Sequence, residues 1–171
     1  MSAVLSHHDI HRLLEQKPSL VESCPNLDEQ LQPNGFDLTL REVALLQSSG
    51  KIAIRDAERR LPELAPLAFN GLGFIDLVPG IYSITYNEIV HLPGNIMALA
   101  RPRSSLLRCG VSVGTAVWDA GYSGRSQSLL VVYNTRGFRV QKNARIVQLV
   151  FLRLSQETAG YQGVYQYENI D

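Results

Sequence analysis

Apolar and polar residues alternate over several short stretches of this chain, and turn-forming residues separate these stretches. Residues 36–40, 80–86 and 146–154 alternate or run apolar in this way and are rich in Ile, Val and Tyr, which is typical of β-strands. Pro79-Gly80 and Pro93-Gly94 are turn signals between such stretches. Many short strands at this spacing predict an all-β barrel or jelly roll rather than alternating strands and helices.

Two segments depart from the period of two and predict short helices. Residues 6–16 place apolar side chains at helical spacing behind a serine that can cap the helix. Residues 103–109 have room for two helical turns, with Leu106 and Leu107 packed inward and Gly110 as the stop. The predicted fold therefore has a short N-terminal helix and one short helix in the second half of the chain.

The remaining segments are predicted to be irregular parts of a single domain over residues 1–171. Residues 1–34 are expected to form the N-terminal helix followed by an irregular connection, because residues 17–34 contain three prolines and several polar residues. Residues 55–66 (RDAERRLPELAP) form a charged, proline-punctuated stretch that predicts a surface excursion. Residues 156–171 form a tyrosine-containing C-terminal tail.

Charge balance and cysteine content narrow the possible partners. Sixteen Lys and Arg residues balance sixteen Asp and Glu residues, so no net field attracts a nucleic acid or an acidic membrane surface. Cys24 and Cys109 are too few for a disulfide framework or a four-ligand zinc site. The N-terminus becomes polar too early for a signal peptide, and no apolar run approaches the roughly 20 residues of a membrane span. We expect a cytoplasmic protein without nucleic-acid or membrane partners.

Residues 101–108 (RPRSSLLR) form the first candidate site. They place three arginines and two serine hydroxyls around a predicted helix start. A helix start presents free backbone N–H groups to an anion, and the serine hydroxyls add donors, so the stretch is suited to a polyphosphate. A capped helix with solvent-facing arginines explains the same residues equally well.

Asp119 is the candidate for an acid–base role. It lies in residues 118–125 (WDAGYSGR), where an aromatic residue and two glycines allow the backbone to turn or to approach a ligand. A carboxylate beside a phosphate site can orient and deprotonate a water molecule. On local sequence alone, a simple turn residue is the more common explanation.

Other polar and aromatic residues leave two interpretations each. Gln148 lies among apolar residues of a predicted strand. It is either an edge residue with its hydrogen bonds satisfied or a residue that contacts a ligand. The tail tyrosines Tyr161 and Tyr165 can stack on a base or dock on a neighbouring subunit. His7 and His11 have the i, i+4 spacing of a metal pair, but no third ligand lies nearby in sequence, which favours a solvated helix face. No metal site built from protein side chains is predicted.

The order of these motifs resembles the dUTPase and dCTP deaminase superfamily. Residues 101–134 are similar to its Pro-Arg-Ser-Ser-Leu phosphate motif and to the Asp-containing hairpin with Gly-Tyr-x-Gly that follows it. Residues 32–38 resemble the first motif of the deaminase branch, and residues 145–149 resemble the fourth motif of both branches. The resemblance covers residues 30 to 168 and implies a jelly-roll-like, distorted β-barrel with the second short helix directly after the phosphate motif.

The resemblance also implies a homotrimer with active sites at subunit interfaces and dUTP as the ligand. It makes Asp119 the activator of the water that attacks the α-phosphorus. It places Tyr122 under the deoxyribose and leaves Mg²⁺ bound mainly through the triphosphate. The remaining substrate contacts that it implies are Arg103, Ser104, Ser105, Arg108 and Gln148 near the phosphates, Thr115 and Ala116 near the pyrimidine, and Tyr161, Tyr165 and Gln166 in the tail.

Two departures place the chain within that superfamily. Deaminases carry a catalytic Glu in the strand after the hairpin, but the matching position here is Val131, which cannot move protons. The tail resembles that of the deaminases, so the chain looks like an archaeal dUTPase of the deaminase-like type, which hydrolyses dUTP to dUMP and pyrophosphate. The alternatives are a dCTP deaminase or bifunctional enzyme, which Val131 disfavours, and a non-catalytic nucleotide-binding regulatory trimer.

Overall fold

The computed structural model of the protein describes residues 3–170. Residues 1, 2 and 171, the ends of the predicted domain, lie outside the described residues. The helices are α1 (His7–Leu14), α2 (Leu27–Gln30) and α3 (Ser104–Arg108), and a 3-10 turn spans Asp56–Glu58. The strands are β1 (Val21–Glu22), β2 (Leu31–Gln32), β3 (Gly35–Leu46), β4 (Leu64–Pro66), β5 (Phe74–Leu77), β6 (Gly80–Tyr86), β7 (Ile89–His91), β8 (Ile96–Pro102), β9 (Val111–Gly114), β10 (Ser123–Gly124), β11 (Gln127–Val132), β12 (Phe138–Gln141) and β13 (Arg145–Arg153).

The strands pair antiparallel and curve into a barrel-like architecture. The large sheet has the order β8-β13-β3-β6-β11-β9, and β2 and β4 also pair with β3. A three-stranded sheet has the order β1-β7-β10, and β5 pairs with β12. The prediction of an all-β, jelly-roll-like barrel with few short helices is therefore confirmed.

Strand β3 is buried on both of its faces over residues 35–40, although its sequence there alternates between apolar and polar residues. Phe36, Leu38 and Leu40 are buried in the core, as the period of two predicts. The intervening Asp37 and Thr39 are equally buried, each only 2% exposed. Polar groups from other elements cover this second face, so the polar positions of the pattern mark internal polar contacts rather than solvent.

The two predicted helices are present, with one error of orientation. Helix α1 begins after Ser6, whose hydroxyl accepts a hydrogen bond from the Asp9 N–H in a capping box. In α3, Leu106 is buried as predicted and Gly110 ends the helix with φ +74°. Leu107 is 53% exposed, so the prediction that it packs inward was wrong. Successive residues of a helix point about 100° apart, and a five-residue helix buries only one narrow face.

The segment predicted as an irregular connection, residues 17–34, has more structure than expected. It contains β1, α2 and β2. The buried amide of Gln30 donates to the Asp37 carbonyl (2.8 Å) and to the Glu88 carboxylate (2.7 Å). The segment is therefore attached to the barrel by internal polar contacts, which the proline-rich sequence did not indicate.

Two segments outside the sheets lie beside the barrel. The arm (residues 47–63) extends the β3–β4 hairpin, with backbone hydrogen bonds between Gln47 and Glu63 and between Lys51 and Arg60. The tail (residues 156–170) follows β13 and is held by backbone bonds such as Tyr161 N–H to the Ala120 carbonyl, 2.8 Å. Within residues 3–170, no helix is long and apolar enough to cross a membrane.

Candidate active site

A cavity of about 310 Å³ lies between the barrel, the arm and the tail. This volume is at the lower end of small-ligand pockets. The loop after β9, the start of β11 and the tail supply most of its wall, and the arm adds a leucine. Its lining residues are Leu61, Ala116, Val117, Trp118, Asp119, Tyr122, Ser126, Gln127, Tyr161, Tyr165 and Glu168.

Asp119 lies in a loop that hydrogen bonds of the preceding residue, Trp118, attach to the barrel. The backbone N–H and carbonyl of Trp118 both bond to Ala98 of β8, and the indole N–H donates to the Ser126 hydroxyl at 2.9 Å. Asp119 itself is exposed, and within residues 3–170 its carboxylate has no hydrogen-bond or ion-pair partner. A fixed carboxylate with both oxygens free can bind a water molecule and accept its proton.

Tyr122 is a buried part of the pocket wall. Its hydroxyl donates to a carboxylate oxygen of Glu168 at 2.9 Å, and its ring meets the Tyr161 ring edge-on at 5.8 Å. Burial, followed by the Glu168 charge and hydrogen bond, raises the pKa of Tyr122 well above its usual range. Burial also raises the pKa of Glu168, and the Tyr122 hydrogen bond opposes that shift. The Tyr122 hydroxyl is therefore committed to the tail, and its ring remains for a ligand.

Gln166 holds the tail in place instead of facing the cavity. Its amide oxygen accepts from the Ser123 N–H and its amide nitrogen donates to the Gly121 carbonyl, each at 2.9 Å. Arg125 adds a guanidinium hydrogen bond to the Asn169 carbonyl at 2.6 Å. These contacts fix the tail along residues 121–125.

Arg103, from the motif at residues 101–108, does not line the cavity and belongs to a separate cluster of charged side chains. Arg103 Nε lies 3.2 Å and Arg145 Nη1 lies 3.6 Å from one oxygen of the buried Asp37 carboxylate. Burial raises the pKa of Asp37, and the two guanidinium charges oppose this shift. We call Asp37, Arg103 and Arg145 the arginine cluster. Because Asp37 is buried beneath both guanidinium groups, it holds them at the end of β8 and the start of β13.

The structure brings some of the predicted site residues together and leaves others apart. Ala116, Asp119, Tyr122, Tyr161 and Tyr165 share the cavity. Seven others do not line it: Arg103, Ser104, Ser105, Arg108, Thr115, Gln148 and Gln166. Ser104, Ser105 and Arg108 belong to α3, which begins directly after Arg103. Gln148 lies in β13 and pairs across the sheet with Asp37 on one side and with Arg101 on the other.

Several residues of the cavity were not predicted from the sequence. Ser126 and Gln127 stand where polar residues precede an apolar strand, which was the available signal for them. Glu168 is the one acidic residue of the tyrosine-containing tail segment 161–168. Leu61 had no local signal, since an apolar side chain in a charged stretch does not indicate a ligand contact.

Val131 lies away from the cavity. It sits in β11 between Ser112 of β9 and Ile81 of β6. Gln127, four residues earlier on the same side of the strand, does line the cavity. The acidic side chains of the cavity are Asp119 and Glu168.

The fold and this cavity define an all-β barrel protein with a pocket lined by aromatic and carboxylate side chains. Residues 4–154 match the model of the family described as dCTP deaminase-like. The chain belongs to that family.

Curated relatives match nearly the whole chain. A probable deoxyuridine 5′-triphosphate nucleotidohydrolase of Methanosarcina mazei is 49% identical over 168 residues, which cover 98% of each protein. A protein of the same name from Archaeoglobus fulgidus is 50% identical over 169 residues, which cover 99% of each. Among solved structures, the 2′-deoxycytidine 5′-triphosphate deaminase from Agrobacterium tumefaciens superposes with a TM-score of 0.68 at 23% identity. The match covers 88% of this chain and 49% of that one. At this identity, the likeness concerns the fold.

Proposed function

We propose that the protein hydrolyses dUTP to dUMP and pyrophosphate. The observation that carries the proposal is the unpartnered Asp119 carboxylate in the same cavity as the Tyr122 ring. The names of relatives that are 49% and 50% identical over nearly the full chain support the choice of dUTP. The chain acts as a single domain over residues 1–171, with the tail as its lid, and works in the cytoplasm.

The nucleoside occupies the cavity. The Tyr122 ring packs against C2′ of the deoxyribose, and the indole and tail tyrosines supply further aromatic surface. The backbone of Thr115 and Ala116, in the loop after β9, faces the pyrimidine. A ribose hydroxyl buried against the Tyr122 ring would lack a hydrogen-bond partner, which disfavours UTP.

The triphosphate requires positive charge that this cavity does not provide. None of the residues that line it is Arg or Lys. We propose that Arg103, Ser104, Ser105, Arg108 and Gln148 of a second copy face the phosphates. A homotrimer with its active sites at subunit interfaces brings these groups together. Asp37 keeps the Arg103 guanidinium oriented within each copy.

The chemical step needs positioning and one proton acceptor. A water held by Asp119 attacks the α-phosphorus, the bond from that phosphorus to the bridging oxygen breaks, and pyrophosphate leaves. Asp119 accepts the proton that the water loses.

Residues 3–170 contain no group of three or more His, Cys, Asp or Glu side chains that could hold a metal. Mg²⁺ carried by the substrate triphosphate would supply neutralisation of phosphate charge, and the carboxylate of Asp119 is the type of protein ligand that would suit it.

Deamination of dCTP is the second candidate because one observation favours it. Glu168 is an acid in the cavity whose pKa is raised by burial, as an acid–base group requires. Its oxygen is occupied by the Tyr122 hydroxyl, and the strand position that resembles the deaminase acid is Val131. Hydrolysis therefore remains the proposed activity.

Product analysis tests this choice. The protein is incubated with dUTP and dCTP in separate reactions with Mg²⁺, and dUMP, pyrophosphate and ammonia are measured. We expect dUMP and pyrophosphate in equal amounts from dUTP and no ammonia from dCTP. Sustained ammonia release from dCTP would establish deamination instead, and binding of dUTP without any product would establish a regulatory binding protein.

A further inference from the structure

The arm is an ordered part of the molecule that the motifs do not use. Its two sides are joined by backbone bonds from Lys51 N–H to the Arg60 carbonyl (2.7 Å) and from Arg60 N–H to the Lys51 carbonyl (2.9 Å). The 3-10 turn at Asp56–Glu58 closes its tip. A hairpin held in this way can present side chains at fixed positions, unlike a flexible excursion.

One side chain of the arm reaches the tail. The Arg59 side chain is only 20% exposed, although it belongs to the charged tip. Its Nη1 donates to the Tyr165 hydroxyl at 3.3 Å, and its guanidinium carbon lies 5.7 Å from the centre of the Tyr165 ring. Its Nη2 lies 2.6 Å from Asp56 Oδ1, so the same guanidinium joins the turn of the arm to the tail.

The contact continues into the cavity from both sides. Leu61, two residues after Arg59, lines the cavity. Residues i and i+2 of an extended segment point to the same side, so Leu61 and Arg59 share a face of the arm. Tyr165 also lines it and donates its backbone N–H to the Tyr161 hydroxyl at 3.4 Å. Tyr161 in turn contacts Tyr122 edge-on. A line of contacts therefore runs from the arm to the ring that faces the sugar.

We propose that the arm forms one wall of the nucleoside pocket and that Arg59 is a positioning residue, which acts through Tyr165 to hold the tail over the bound nucleoside. This inference rests on the proposed function, because it takes the cavity to be the nucleoside site. Arg59 does not itself line the cavity that contains Asp119. Its loss should therefore weaken ground-state and transition-state binding together, which raises KM and leaves kcat nearly unchanged.

The test measures nucleotide binding directly as well as turnover. Trp118 is the only tryptophan of the chain and lines the cavity, so its fluorescence reports ligand binding. The ligand is a dUTP analogue with a non-hydrolysable α,β-imido bridge. We expect Arg59→Gln to raise its Kd and the KM for dUTP about tenfold, since a cation–π contact and a charged hydrogen bond are lost.

Two further variants separate this contact from general effects on the arm. Arg55→Gln is the matched control, because Arg55 is 83% exposed and pairs with Glu58 within the turn. It should change Kd by less than twofold. Tyr165→Phe keeps the ring and loses the hydroxyl, and it should weaken binding less than Arg59→Gln does. The double variant Arg59→Gln/Tyr165→Phe should bind as Arg59→Gln does, because both changes remove one shared contact.

The outcomes distinguish the inference from the function on which it rests. If the wild-type protein neither binds the analogue nor hydrolyses dUTP, the proposed function fails, and the inference fails with it. If the wild-type protein does both, but Arg59→Gln binds as Arg55→Gln does, the inference alone is overturned. A fall in kcat at unchanged Kd would also overturn it, since Arg59 would then act on the chemical step.

Discussion

Three carboxylates show how the surroundings of a residue decide its use. In the part of the chain that the structure describes, Asp119 is exposed and has no hydrogen-bond or ion-pair partner, Asp37 is buried against two arginines, and Glu168 is partly buried against a tyrosine hydroxyl. Only Asp119 has both oxygens available to a water molecule in the cavity. The same residue type therefore provides a candidate base, an anchor for arginines and an anchor for the tail.

The role of Asp119 can be tested by removing its charge and keeping its shape. Asp119→Asn should bind the imido analogue of dUTP as the wild-type protein does, but lower kcat by about 10²–10⁴-fold, the usual contribution of a general base. Binding is followed by Trp118 fluorescence and turnover by pyrophosphate release. Asp28→Asn, a change at an exposed acid of α2, is the control. Retention of more than a third of wild-type turnover would remove Asp119 from the mechanism.

At the scale of elements, the sequence predicted the main strands and α1 and α3 because their apolar spacing is local. It could not predict which polar positions face inward. Asp37 and Thr39 alternate with core residues as solvent-facing residues would, and only their tertiary partners distinguish the two cases. Similarly, residues 55–66 were predicted only as a surface excursion. The contact of Arg59 with Tyr165 joins residues 106 positions apart in the chain, which local sequence does not indicate.

The buried network around Glu88 makes stability depend on pH. Gln30 and Thr39 donate to the Glu88 carboxylate, yet burial raises its pKa above the ordinary 4.5. The folded state thus holds this proton more tightly than the unfolded chain. The contribution of Glu88 to the free energy of unfolding is largest below the ordinary pKa and falls as pH rises through the raised pKa.

Glu88→Gln isolates this effect. The variant should lose about 1–3 kcal/mol, because its amide N–H₂ faces the donor group of Gln30 or Thr39. The loss should be largest near pH 4 and shrink toward neutral pH, since only the wild-type protein carries the titrating group. Urea unfolding of both proteins, at the same fixed protein concentration and at several pH values between about 4 and 7, measures the difference. A difference that stays constant with pH would mean that Glu88 keeps its ordinary pKa.

The junction of loop and tail depends on a glycine. Gly121 has φ +83°, and a Cβ placed there would lie 2.6 Å from the Gly160 Cα. Gly121→Ala should therefore displace the tail and cost about 1–2 kcal/mol in backbone strain, with a higher KM for dUTP and faster proteolysis of the tail. Gly71→Ala, at a position with open space around it, is the control. Equal KM values for both variants would contradict the proposed role of the tail as a lid.

At the scale of the whole molecule, the cavity and the phosphate motif form two separate surfaces. The resemblance to a known superfamily indicated the residues of both surfaces. Local spacing could not indicate that Arg103 lies outside the cavity that Asp119 lines. The cavity carries aromatic and acidic side chains but no Arg or Lys, and the arginine cluster lies outside it. This separation fits the proposed site between copies.

Assembly should therefore control activity. Because each proposed site takes groups from two copies, the proposal predicts that activity per chain falls when the protein is diluted through its dissociation range. Light scattering at the same concentrations, with turnover measured in parallel, checks this prediction. A stable, fully active monomer of 19.0 kDa would show that one chain contains the complete site.

The most direct test of the proposed reaction is hydrolysis of dUTP in water enriched in oxygen-18, followed by mass spectrometry of both products. Attack by the Asp119-bound water on the α-phosphorus forms the new P–O bond in the nucleotide. We predict one labelled oxygen in dUMP and none in pyrophosphate. Label in pyrophosphate, with unlabelled dUMP, would place the attack on the β-phosphorus and contradict the proposed mechanism.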